Sequence, residues 1–197
     1  MKPMTLCLLI VLLSGRCLAW QDGDIIFHQS RSAQSAVIQE VTSCRYTHMG
    51  LIVNLDSGPF VLEAIQPVSL TPLQAFISRG QGGHYRVMRL KPQYRLSRAQ
   101  LRQMKQLAQS MLGRNYDLLF AWDDGEIYCS ELVWKLYERG AGLRIGAPQR
   151  FADLDLSHPA TQALIQERKG AVDPNELIIT PRRMMDCRLL QVVDIHP

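Results

Sequence analysis

Two apolar, β-branched runs separated by a turn signal constrain this chain most. Residues 46–54 (YTHMGLIVN) and 59–65 (PFVLEAI) flank the segment LDSG, whose polar residues and glycine are those that turns recruit. An antiparallel hairpin follows. It matters for function, because it sets His48 near the end of one strand and brings a residue of the partner strand beside it.

The rest of the chain supplies what packs on that hairpin. Residues 24–27 (DIIF) follow the turn pair DG and read as a strand, and residues 32–42 as a helix burying Ala33, Ala36, Val37 and Val41. Residues 68–70 continue as strand, and TPLQAFI starts a short helix with Pro72 at its first position. RGQGG is a loop, and YRVMRL reads as a half-exposed strand with its arginines outward. Ser97 and Gln100 have capping-box spacing before a helix with Leu101, Met104, Ala108 and Met111 on one face. Gly113 ends that helix, and NYDLLFAW is expected to cross the core. A helix opening at Cys129 buries Leu132, Val133 and Leu136. Past Ala141 the chain turns irregular, with a helix over 159–169 and strands at 176–180 and in LLQVVDI. No internal repeat or low-complexity tract interrupts this pattern. The expectation is one α+β domain with helices packed on an antiparallel, barrel-like sheet.

The first 19 residues read as an export signal: Lys2, the apolar core TLCLLIVLLSG, and a small-residue pattern ending at Ala19. That run is short for a membrane span. Cleavage near Ala19 leaves residues 20–197 as a single exported domain, periplasmic or secreted. Attachment through a lipidated Cys17 is disfavoured by Arg16 immediately before it. The formal net charge of +4 hides an asymmetry: no acid occurs between Glu63 and Asp117, an interval holding nine basic side chains from Arg79 to Arg114. Segment 79–114 is therefore a candidate for peripheral contact with an anionic surface, although solvated faces of a strand and a helix are the simpler explanation. The export signal and the lack of interleaved aromatics argue against nucleic acid.

After cleavage three cysteines remain, Cys44, Cys129 and Cys187. An odd count in an oxidising compartment leaves at least one free thiol; whether Cys44 and Cys187 pair is open. No metal is expected, because no CxxC or HxxxH spacing occurs and the histidines are scattered. Cys129 stands where the acidic, glycine-bearing DDGEIY gives way to the helical run CSELVWKLYERG. A thiol in the first turn of a helix meets unpaired N–H groups and the positive end of the dipole, which lower its pKa from the usual ~8.5. Most free cysteines are simply small buried hydrophobes, and position alone does not choose between the two. About 80 residues upstream, His48 offers an imidazole to take the proton. Gly50, two residues on, clears the same face of the strand, as if for substrate or for the Cys129 helix.

The blocks YTHMGLIV, FVLEA and LGRNYDLLFAWDDGEIYCSELVWK, together with the opening DGDIIF and the SRSAQSAVI segment, resemble the permuted papain-like amidases of the YaeF/YiiX type, within the NlpC-like superfamily. The resemblance runs from Trp20 to about Thr180. It implies a circularly permuted papain-like fold in which the histidine precedes the cysteine. It also implies a cysteine-dependent amidase or peptidase using no cofactor, with Cys129 as nucleophile, His48 as base and later acid, and Glu63 as the carboxylate that orients the imidazole. Backbone N–H of Cys129 is then the expected oxyanion donor, with Tyr116 and Tyr128 as weaker candidates for oxyanion or substrate contact. The acidic DDGE cluster reads either as a solvated turn or as a contact for a cationic substrate group. Expected substrates are peptide or cell-wall amides. The alternatives are a lipid substrate, for an acyltransferase or phospholipase using the same pair, and a binding module that has lost turnover.

Overall fold

The computed structural model describes residues 20–167 and 173–197. Residues 1–19, expected from sequence to be an export signal, and residues 168–169 of the expected helix lie outside the described residues. In chain order the elements are β1 (Ile25–His28), α1 (Ala33–Thr42), β2 (His48–Leu55), β3 (Gly58–Glu63), β4 (Ser69–Pro72), α2 (Leu73–Arg79), β5 (Tyr85–Leu90), α3 (Arg98–Met111), α4 (Cys129–Ala141), β6 (Gln149–Arg150), α5 (Pro159–Glu167), β7 (Leu177–Ile178), α6 (Pro181–Met185) and β8 (Leu190–His196).

Six strands form one antiparallel sheet in the order β4-β3-β2-β1-β5-β8. The hairpin is as read, with Asn54 opposite Pro59 and Leu55 opposite Gly58. The barrel-like expectation needs correction: β4 and β8 are the two outer strands and do not pair with each other, so the sheet stays open.

Strand alternation divides the interior in two. Ile25, Phe27, Met49, Leu51, Leu62 and Met88 face a large core built with α3 and α4. Their neighbours Ile26, Ile52, Val61 and Val87 face Leu73 and Phe76 of α2 on the other side. Burying both faces explains why β1 and the first half of β2 read as continuous apolar runs.

Local differences from the sequence reading have identifiable causes. In α1 the residue turned fully inward is Ser35, whose Oγ meets Thr47 Oγ1 at 2.6 Å, while Ala33 and Ala36 are exposed. A buried hydroxyl pair replaced the apolar contact that hydrophobicity alone suggests. Pro72 caps α2 rather than opening it. NYDLLFAW (115–122) does not cross the core: it runs irregularly along its edge, with Tyr116, Phe120 and Trp122 packed against the core and Leu118 and Leu119 about half exposed at 51 % and 54 %. The basic segment is not a uniform free face either. Arg89 forms a two-pronged pair with the buried Asp24 at 2.7 Å, Lys105 meets Asp22 at 2.7 Å, and Arg114 donates to the Asp124 carbonyl at 2.8 Å. The capping box of α3 is present as read.

Gly50 clears no space for substrate. A Cβ there would lie 2.3 Å from Val61 Cγ1, 2.7 Å from the Leu62 carbonyl oxygen and 3.2 Å from Glu63 Cβ, so the volume belongs to β3. Gly50→Ala must push β2 from β3, since a backbone atom cannot rotate away, and should cost at least about 2 kcal/mol. Denaturant midpoints of the two proteins would measure it. An unchanged midpoint would show that the hairpin can widen freely.

Candidate active site

Helix α4 begins at Cys129 after an extended Tyr128, and its sequence matches its position. Glu131 sits in the first turn, Arg139 in the last, and Gly142 closes the helix at φ 69°. The start of the helix is fixed by what surrounds it. Ser130 Oγ donates to the Ile179 carbonyl at 2.8 Å, and the Ile179 N–H donates to the Tyr128 hydroxyl at 3.1 Å. Glu131 is fully buried and pairs with Lys135 one turn on at 2.6 Å, so its carboxylate is engaged along α4. Burial pushes its pKa up to about 7 against the pull of Lys135. Lys135 also reaches Asp124 Oδ1 at 2.9 Å and the Asp123 carbonyl, and Asp124 further takes Arg139 at 2.9 Å. The DDGE turn is thus tied to α4 by internal cations.

His48 opens β2, and Glu63 closes β3. Both stand on the α2 side of the sheet, whereas α4 packs on the other side; thiol and imidazole meet at the end of β2. His48 Nε2 and Glu63 Oε2 are 2.6 Å apart, which leaves Nδ1 for its hydrogen bond with Cys129. Further N–H groups, from Met49 and Ser130, donate to the sulfur. All three residues are buried: Cys129 is 3 % exposed, His48 9 % and Glu63 0 %.

The electrostatics follow from this geometry. Burial alone would raise the Cys129 thiol, but the hydrogen bond and charge of His48 and the two backbone donors prevail, and its pKa is lowered. For His48, burial pulls down, yet Cys129 and then Glu63 push it up to about 9. Glu63 falls to about 2: burial opposes ionisation, and His48, Arg79 and Thr71 overcome it. The two shifts run in the directions that favour a thiolate beside an imidazolium, with a carboxylate behind the ring.

Several neighbours were not singled out from sequence. Arg79, at the end of α2, donates through Nη2 to both Glu63 oxygens at 2.5 Å. His28 lies opposite His48 in the β1–β2 register, its ring 5.2 Å away and stacked on Phe76 at 4.2 Å, with Nδ1 donating to the Phe76 carbonyl at 3.1 Å. Burial, then the charge of His48, lowers it to about 3, so it stays neutral. An alternating strand pattern shows that His28 and His48 can share a face, but only the register makes them neighbours.

A cavity of about 130 Å³ reaches Cys129 from the α1 side. Val37, Ile38 and Val41 form one wall; Leu164, Ile165 and Ile178 contribute elsewhere in its lining. The exposed Leu118 and Leu119 are part of the lining, as are Phe120 and Tyr128, whose rings meet edge to face at 5.2 Å. Thr47, which precedes His48 and meets Ser35 of α1 through its hydroxyl, belongs to it too. His48, Glu63 and Tyr116 do not. Tyr116 uses its backbone N–H on the Gln66 side chain at 2.7 Å. Cys44, Cys129 and Cys187 are all free thiols.

A family model described as "Permuted papain-like amidase enzyme, YaeF/YiiX, C92 family" matches residues 19–186. The chain belongs to this family. It is 41 % identical over 191 residues to the "Uncharacterized protein YiiX" of Escherichia coli (strain K12), a match covering 95 % of this chain and 94 % of that one. A solved structure, "metalloprotein yiiX" from Escherichia coli O157:H7, superposes with a TM-score of 0.85 at 40 % identity, covering 89 % of this chain and 97 % of the other. Family membership makes the chain a permuted papain-like protein of a hydrolase family. As to metal, no three His, Cys, Asp or Glu side chains among the described residues gather into a set that could hold an ion. Around His48 the donors are already engaged, Glu63 by Arg79 and His28 by Phe76. The donor set does not fit a metal centre.

Proposed function

We propose that this protein is an exported, cysteine-dependent hydrolase of the amidase type that works through an acyl-enzyme. The observation that carries the reading is the contact chain Cys129–His48–Glu63 at the first turn of a helix. The Cys129 thiolate adds to the substrate carbonyl carbon, and the charge moved onto the carbonyl oxygen is met by the N–H of Cys129 itself. The imidazolium of His48 gives its Nδ1 proton to the leaving nitrogen as the C–N bond breaks, leaving a thioester on Cys129. His48, now neutral, takes a proton from water, whose oxygen attacks the thioester and releases the acid and the thiolate. Glu63 holds the ring and its charge throughout. Export rests on the signal-like pattern of residues 1–19.

The substrate side is read from the cavity. Valine, leucine and isoleucine side chains dominate the space beside Cys129, which suits an aliphatic acyl group better than a polar wall peptide. This favours amides or esters of apolar acids and also supports a second reading, in which a lipid acyl group passes to an acceptor other than water. Tyr128 would serve as a wall of the acyl site, with its hydroxyl occupied at Ile179.

The test is a panel of acyl anilides and p-nitrophenyl esters of graded chain length, with phospholipid vesicles and peptidoglycan fragments alongside. Intact mass of the quenched enzyme should show an aliphatic acyl adduct on Cys129. Turnover of peptidoglycan fragments alone would return the substrate to the cell wall. Val41→Trp, which fills the cavity from α1, should lower turnover of long-chain esters about tenfold or more while sparing acetyl or butyryl esters. Equal loss at every chain length would move the acyl group out of this cavity.

A further inference from the structure

The C-terminal turn of α2 touches the proposed catalytic pair at several points. The Phe76 ring stacks 5.8 Å from that of His48, its carbonyl fixes His28, and Gly80 lies so close to His28 that a Cβ would stand 2.9 Å from Nδ1. Arg79 extends from this turn to the Glu63 carboxylate, with its guanidinium carbon 5.8 Å from the Phe76 ring centre. Arg31 in turn donates to the Gly80 carbonyl at 3.1 Å. Glu63 is wholly enclosed, while the Arg79 side chain is 43 % exposed. A buried carboxylate is therefore held on one side by the imidazole and on the other by a cation that solvent reaches.

We propose that Arg79 is a positioning residue of the hydrolase, acting through Glu63 to hold the imidazole of His48 in place and to set the pH range in which the thiolate–imidazolium pair exists. The proposal rests on the thiol-hydrolase reading given above.

Charge balance gives Arg79 this role. Glu63 alone would stabilise the imidazolium but destabilise the nearby thiolate, and an ionised carboxylate with one partner in a buried site is costly. Arg79 neutralises the carboxylate without occupying Oε2 alone, so one oxygen stays directed at His48 Nε2. The other groups facing this site are accounted for. His28 from β1 is neutral, Thr71 from β4 hydrogen-bonds Glu63, and Cys129 from α4 is the partner thiol. Glu131 and Lys135, further along α4, pair with each other. Arg79 is thus the fixed cation of the set, and removing it should raise the proton affinity of both Cys129 and His48.

Iodoacetamide alkylation of Cys129, followed against pH by site-resolved mass spectrometry, reads this without a known substrate. In Arg79→Ala and Arg79→Gln both inflections should move up by about half to one unit, the modest size reflecting solvent screening at a half-exposed cation. At a fixed pH on the acid side that is roughly three- to tenfold slower alkylation. Arg79→Lys should restore the wild-type inflections. A merely structural arginine would lower thermal stability in all three variants and leave the inflections in place, which overturns the proposal. So would failure of both neutral variants to fold, as judged by far-ultraviolet circular dichroism. If wild-type Cys129 itself alkylates with an ordinary thiol inflection, the hydrolase reading falls first. A depressed wild-type inflection that no Arg79 variant moves removes Arg79 alone.

Discussion

Cys129→Ala is expected to lower turnover of any verified substrate by at least about 10³-fold, and His48→Ala to do nearly the same, because the two act as a unit. Their effects should not add in the double variant. The fold should survive the first change: one sulfur is removed from the helix start, while the Ser130, Tyr128 and Ile179 contacts that fix that turn remain. His48→Ala leaves Glu63 with Arg79 as its cation, so the carboxylate keeps a charge partner. The variants differ in one informative respect. His48→Ala retains the thiol but loses its largest source of pKa depression, so Cys129 should alkylate more slowly than wild type at pH 6. A His48→Ala protein that alkylates like wild type at pH 6 would mean that the helix start alone activates the sulfur. Full turnover in Cys129→Ala would end the thiol mechanism and place the chemistry at another site.

The parts of this site that were legible in the sequence share a physical origin. Cys129 announces itself because a helix start is written locally, in the change from DDGEIY to CSELVW. His48 and Glu63 are fixed by a hairpin whose turn and strands are contiguous, and the 2.6 Å contact between them follows from that register. What escaped depends on pairings between distant segments. Arg79 looked like one more charge in a basic stretch, and only the packing of α2 on the sheet brings it to Glu63. Likewise His28 needed the β1–β2 register, and the cavity draws its lining from α1, the 118–120 loop, α5 and β7. Gly50 shows the opposite failure. Its small size was visible, but whether the vacated space goes to a ligand or to a neighbouring strand is a question of packing, and Val61 had already taken it.

Glu63→Gln should narrow the working pH range from its basic side. The amide can still accept from His48 Nε2, but it carries no charge, and Arg79 is left as an unbalanced cation nearby. Both changes disfavour the imidazolium, so its pKa falls from about 9 and the alkaline limb of activity moves down with it. Turnover at the optimum should drop about 10- to 100-fold, because the ring is held less firmly and its charge less well stabilised. Stability carries the same signature with a definite sign. The folded pKa of His48 is raised above its ordinary 6.5, so that contribution is complete below 6.5 and disappears as pH rises through about 9. Glu63 is lowered from 4.5 to about 2, so its contribution is present above 4.5 and lost as pH falls through about 2. The melting-temperature gap between wild type and Glu63→Gln should therefore be widest between pH 4.5 and 6.5 and close toward both extremes. Because Cys129 contributes more than Glu63 to the raised imidazole, the alkaline closure should come at lower pH when both proteins also carry Cys129→Ala. Melting curves from pH 3 to 10 in both backgrounds measure this directly. A gap that stays constant across that range would show that Glu63 holds His48 by shape alone and not by charge.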